Sequence, residues 1–260
     1  MHPAGGNVVC YAALAREFPP EQPLYGIQAS GLHGEEDAID NLDAMASRYV
    51  DAITSVQDSG PYLLGGWSAG GNIAYEIAQQ LTRRGEIVAF LGLIDASASL
   101  FGREMPGHAD VLLSIAEEGG VVLDQEHVRS LPPDDQLQYY VDTAKAQGML
   151  ADTFDTSYAI RLRNVYWATL HALGCHEASR YTGNANLFAC SEVPPDKAPS
   201  DLYLGWQGLV EGELHVRAVP GSHQSVVKPP HVAALAGQLL KAIDEALSHS
   251  INEFVLKEQR

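Results

Sequence analysis

One serine set between two glycine pairs constrains this chain more than any other feature. In GPYLLGGWSAGGNIAYEIAQQL, residues 60–81, a strand-like run leads into Ser68 and a helix-like run leaves it. Gly66-Trp67-Ser68-Ala69-Gly70 fits the Gly-x-Ser-x-Gly pattern, in which a strand turns at once into a helix and a serine hydroxyl projects from a strained backbone. A side chain two positions before or after the serine is expected to collide across that turn, and glycine avoids both collisions. Beyond the turn, Ile73, Ile77 and Leu81 recur at four-residue steps and give one helical face. The motif predicts a strand, a tight turn and a helix, with Ser68 exposed for chemistry at the turn.

The rest of the chain extends that alternation. Strand-like segments lie at Leu24–Ala29, Tyr62–Gly66, Ile87–Ile94, Asn186–Ser191 and Glu213–Val219. Ile39, Leu42, Met45, Tyr49, Ile53 and Val56 give a helix before the motif, and Val232, Leu235, Leu239 and Leu240 give another after Pro229 and Pro230. Strands such as VAFLGLI are apolar throughout, as expected when helices cover both faces of a parallel sheet. The fold class is therefore α/β in three layers. The alternation stops after Asp95, and residues 97–182 carry helical patterns only. One domain is expected over 1–260, with a core of 1–96 and 183–260 and a helical insertion at about 97–182 over the carboxyl ends of the strands, where such sheets bind ligands.

Charge narrows the partners. A formal net charge of −17 disfavours nucleic acid and anionic membrane surfaces. No apolar run approaches the ~18 residues of a membrane span. Three widely separated cysteines, Cys10, Cys175 and Cys190, suggest free thiols and a cytoplasmic setting. Cys175 beside His176 hints at a metal or a thiol nucleophile, but no second ligand stands at metal spacing, and no cofactor is expected.

A serine hydroxyl becomes a strong nucleophile only when a base takes its proton and an acid orients that base. In a sheet of this kind the partners follow in the order serine, acid, histidine, each on a loop after a strand. Asp95 ends VAFLGLID and is the candidate acid, while Glu192 after the next strand competes for the role. His223 lies on a Pro-Gly loop directly after ELHVRAV and is the candidate base. His215 alternates with Leu214 and Val216 and is expected to face the other side of that strand, His231 is expected to be exposed at the start of the last helix, and the remaining histidines are expected at the surface or in the insertion. The developing oxyanion needs backbone N–H donors. Ala69, next to the serine, and Ala4 in HPAGG are the candidates.

LGGWS also resembles the Leu-Gly-Gly-x-Ser of carrier proteins, whose serine bears a phosphopantetheine arm, but those domains carry an aliphatic residue after the serine and lack the strand–turn–helix context. Taken together, HPAGGNVVCYAALAREF, PLYGIQASGL, GWSAGGNIAYEIAQQL, the strand ending in Asp95, LFACSE, GWQGLV and VPGSHQSVV make the chain resemble the thioesterase domains that terminate nonribosomal peptide and polyketide synthetases, members of the α/β-hydrolase superfamily. The resemblance spans nearly the whole length. It implies an α/β-hydrolase fold with a helical lid at the insertion. It also implies an acid at the end of the strand after the nucleophile helix, which favours Asp95, 27 residues after Ser68. The implied substrate is an acyl, peptidyl or polyketide thioester on the phosphopantetheine arm of an upstream carrier protein, released by hydrolysis or ring closure. Trp67, Tyr166, Trp167 and Leu170 become candidate substrate-facing residues, with packing between helices as the competing role for the last three. Such domains have a strand running into the His-Pro motif. Here Met1 precedes His2 directly, so the loop carrying Ala4 is expected to be poorly anchored. A stand-alone editing thioesterase, an esterase acting on free esters, and an inactive carrier-binding module are the rival functions.

Overall fold

The computed structural model describes residues 1–154, 156–192 and 202–258. Four strands, β1 (Tyr62–Trp67), β2 (Val88–Ile94), β3 (Ala185–Cys190) and β4 (Leu214–Val219), form one parallel sheet in the order β1-β2-β3-β4. Strand order follows chain order, so right-handed crossovers put every connection between these strands on the same face. That face carries α2 (Leu42–Val56), α3 (Ala69–Arg83) and the helices between β2 and β3; the other carries α1 (Ala12–Glu17) and α8 (Val232–Glu258).

Because successive strand side chains point to opposite faces, one apolar run feeds two cores. Leu91 and Leu93 of β2 pack with α2 and α3, whereas Phe90 and Ile94 pack with α1 and α8. In α3 the spaced Ile73, Ile77 and Leu81 are fully buried. Each contributes on the order of 2 kcal/mol by leaving water. Helix α2 starts after Ile39, the first apolar residue of its pattern, because Asn41 caps it by accepting the Ala44 N–H at 2.9 Å. Asn41→Ala should therefore lower stability by about 1 kcal/mol, read as a shift in the urea midpoint with an unchanged slope.

The stretch expected to be helical holds α4 (His108–Gly119), α5 (Gln125–Ser130), α6 (Pro133–Ala146) and α7 (Thr156–Gly174), of which α7 packs back on α2 and α3. One expected strand is absent. Leu24–Ala29 runs extended without joining the sheet, tied to the N-terminal loop by two hydrogen bonds, His2 N–H to Ile27 O and Ala29 N–H to Gly6 O. Tyr25 and Ile27 favour a strand, but the segment finds no neighbouring strand to complete a ladder. Among the described residues, no helix is long and apolar enough to cross a membrane.

Candidate active site

The turn from β1 into α3 holds Ser68 at φ 56° and ψ −133°, a left-handed position that costs a residue with a Cβ on the order of 1–3 kcal/mol. The Ser68 N–H is donated to Ile94 O at 3.0 Å, so the turn is fastened to the end of β2. A Cβ on Gly66 would lie 2.3 Å from the backbone of Gly70, the collision anticipated across the turn. Gly70 is glycine for a different reason: its Cβ would lie 2.5 Å from Met1 O and 2.8 Å from His2 O, because the N-terminal loop crosses over the start of α3. Gly66→Ala should cost about 3 kcal/mol, since the clash is with main chain that cannot rotate away; denaturant titration checks it.

Three strand ends converge on the serine. His223, in the loop after β4, has Nε2 3.1 Å from Ser68 Oγ and Nδ1 2.7 Å from Asp95 Oδ2. Asp95, after β2, also has a positive φ of 44°. Its second oxygen accepts the Cys190 N–H at 2.9 Å, and its own N–H is donated to Phe188 O at 2.8 Å. Burial alone would raise the Asp95 carboxyl, but hydrogen bonds from His223 and from the Cys190 N–H outweigh it and hold it below the ordinary carboxylate value. With Asp95 ionised, Nδ1–H of His223 donates to it, which leaves Nε2 as the acceptor facing the serine hydroxyl.

The competitors lie elsewhere. Glu192 is exposed, and its backbone N–H is donated to Gly221 O. His215 is exposed beside Glu213. His231 is half-buried rather than exposed: its ring packs so closely on Gly221 that a Cβ there would meet it at 2.8 Å, so it backs the His223 loop. His176 pairs with Glu76 at 3.5 Å and Asp43 at 3.8 Å, while Cys175 Sγ turns to His171. Among the described residues, no three metal-ligating side chains are grouped to hold an ion.

The loop carrying Ala4 is well anchored, contrary to the expectation drawn from its position next to Met1. Besides the two bonds to the 27–29 segment, Gly6 N–H closes a turn on Pro3 O, with Ala4 and Gly5 at its centre. His2 is fully buried beneath it, not at the surface. Its Nδ1 donates to Pro3 O at 2.8 Å and its Nε2 accepts the Tyr49 hydroxyl at 2.8 Å. Ala69 opens α3, where the first N–H groups have no partner inside the helix. Among the described residues, neither the Ala4 nor the Ala69 N–H is donated to a protein acceptor.

Burial pushes the His2 imidazole down to about 4. The unfolded chain protonates this histidine near 6.5, before the folded chain does, so stability falls as pH drops from 6.5 towards 4. At pH 5 His2 should cost about 2 kcal/mol relative to pH 7. Urea unfolding at both pH values should show a flatter dependence in His2→Gln.

The four candidate substrate-facing residues separate. Trp67 is buried under the loop that carries His223, its ring 5.2 Å from that of His223, and supports the imidazole rather than lining open space. Trp167 stacks on His108 at 4.7 Å and joins α7 to α4, and Leu170 packs against the core. Tyr166 approaches the site: its hydroxyl donates to Glu118 Oε1 at 3.0 Å, and both side chains lie over Gly5. Glu118 escapes sequence reasoning altogether, because AEEGG at the end of α4 looks like a solvated helix terminus. His2 was visible inside HPAGG, where its place in a motif was the available signal.

A family model described as the thioesterase domain matches residues 1–243. A dimodular nonribosomal peptide synthase of Bacillus subtilis (strain 168) is 29% identical over 247 residues, which cover 94% of this chain and 10% of the synthase. Among solved structures, a four-domain nonribosomal peptide synthetase bound to AMP and glycine aligns with a TM-score of 0.82 and 29% identity, over 92% of this chain and 18% of that one. The NocB thioesterase domain, in covalent complex with a fluorophosphonate nocardicin G analogue, aligns at 0.69 and 23% identity over 95% of this chain and 92% of its own, a likeness of fold alone. The chain spans 10%, 27% and 4% of three curated synthetases that it matches. The parallel sheet, its helical layers and these alignments are those of the α/β-hydrolase fold.

Proposed function

Because the chain belongs to the thioesterase domain family, we propose that it releases an acyl or peptidyl chain from the phosphopantetheine arm of a carrier protein, through an ester to Ser68. The observation that carries this reading is the pair of contacts made by one imidazole, 3.1 Å to Ser68 Oγ and 2.7 Å to Asp95 Oδ2.

His223 Nε2 takes the Ser68 proton as Oγ attacks the thioester carbonyl. The imidazolium that forms is stabilised by the Asp95 carboxylate, and the oxyanion rests on the N–H groups of Ala69 and Ala4, each typically worth about 3 kcal/mol. Collapse expels the phosphopantetheine thiolate, which takes a proton from His223, and leaves the chain on Ser68. Water, or an amine or hydroxyl of the chain itself, then attacks with the same base, giving an acid or a ring. No metal or organic cofactor enters these steps. The helices of residues 97–182 act as the lid, and Tyr166 over Gly5 supports that role. The carrier is the partner, as expected of a domain whose relatives are multidomain synthetases, and the cytoplasm is the setting.

Turnover of one acyl group as a carrier thioester, a short thioester and an oxygen ester tests the reading. Preference for the carrier thioester supports it. Preference for the free ester makes the protein an esterase, and failure of a fluorophosphonate to label Ser68 makes it a binding module.

A further inference from the structure

Glu118 reaches the site from the insertion and has no part in the steps above. One of its oxygens is engaged by the Tyr166 hydroxyl at 3.0 Å. The other, Oε2, lies 3.5 Å from where a Cβ on Gly5 would stand, one residue along the loop from Ala4, whose N–H is the second oxyanion donor of the proposed reaction. Among the described residues, Oε2 has no hydrogen-bond donor and the carboxyl forms no ion pair. The basic side chains within electrostatic range are His223 and Lys228. Both ring nitrogens of His223 are already engaged, and Lys228 is exposed to water. Burial raises the Glu118 carboxyl above its ordinary value, and the Tyr166 hydrogen bond offsets that only in part.

A half-buried carboxyl with one spare oxygen beside the proposed acyl site favours some ligands and penalises others. An apolar acyl chain laid over it would strip its remaining water without replacement, at a cost of kilocalories. A ligand ammonium would supply the missing charge and a charge-assisted hydrogen bond. We propose that Glu118 recognises a protonated amine on the acyl chain, within a few bonds of the thioester carbonyl, so that the domain selects aminoacyl or peptidyl chains with a free amine near the reacting end. Tyr166 holds the carboxyl in register for that contact. This assignment rests on the acyl-transfer reading of Ser68 and names its substrate class.

The experiment uses two N-acetylcysteamine thioesters, of phenylalanine and of N-acetylphenylalanine, with wild type and Glu118→Gln. Glutamine keeps an oxygen for the Tyr166 hydroxyl and removes only the charge. Wild type should favour the free amine, and the ratio of kcat/KM for free over capped substrate should fall about tenfold or more in Glu118→Gln, the scale of one charge-assisted contact. A ratio that stays put, whether both rates fall together or neither changes, overturns the proposal and leaves the acyl-transfer reading standing. Wild type inert to both substrates and unlabelled by fluorophosphonate overturns that reading itself, and the assignment with it.

Discussion

Ser68→Ala should leave the domain folded and lower the turnover of an acyl thioester by about 10⁵-fold or more, the scale at which removing the nucleophile of a triad removes its whole contribution. The substitution keeps a Cβ at the same strained φ of 56°, so the turn gains no new clash and the Ser68 N–H to Ile94 O bond has no reason to change. Only Oγ is lost, and with it the atom 3.1 Å from His223 Nε2. Mass spectrometry separates chemistry from folding. The wild type should gain the mass of the acyl group within the first turnover, and the variant should gain nothing while melting at a similar temperature. An acyl adduct on the variant would mean that another residue takes the chain, and the assignment of Ser68 would fall.

Asp95→Asn should lower kcat by about 10⁴-fold with little change in KM. The size follows from hydrogen-bond directions around the side chain. Asp95 Oδ1 accepts the Cys190 N–H, which has no other partner in that direction, so an asparagine would turn its oxygen there and present its NH₂ to His223 Nδ1. An NH₂ donates, so Nδ1 would have to accept, and the ring proton would move to Nε2, facing the serine. In that tautomer the imidazole cannot take the Ser68 proton. Glu192→Gln, by contrast, should change kcat less than twofold, because that side chain lies exposed and away from the ring. Equal losses in the two variants would reverse the choice of acid. Because the Asp95 carboxyl is held below its usual range, it stays ionised into moderate acid. Its contribution to stability is present above the ordinary carboxylate pKa and is lost only as pH falls through the lowered one.

What could be read in advance was what local chain chemistry dictates. Gly66, Ser68 and the four-residue steps of α3 specify a turn whose geometry is decided within a dozen residues, and Asp95 and His223 follow from strand ends that announce themselves by apolar runs. Leu24–Ala29 was misread because a strand needs a neighbour, and composition does not show whether one is there. His2 was misjudged for a related reason: its burial depends on Tyr49, 47 positions away, and on a loop folded over α3. The place of Trp67 beside Ser68 says nothing about where its ring goes, and only the fold shows that ring buried against the imidazole of His223. Glu118 was invisible because only the docking of α4 turns a helix-end glutamate towards Gly5.

The bonds from Asp95 to Phe188 and Cys190 have an evolutionary consequence. They clamp the base of the long excursion between β2 and β3, so the bonds that place Asp95 are made by residues outside it. Whole loops there are free to be lengthened, traded or recombined among descendants without retuning the proton relay. On the proposed reading, reactivity and choosiness would then be inherited through different stretches of the gene.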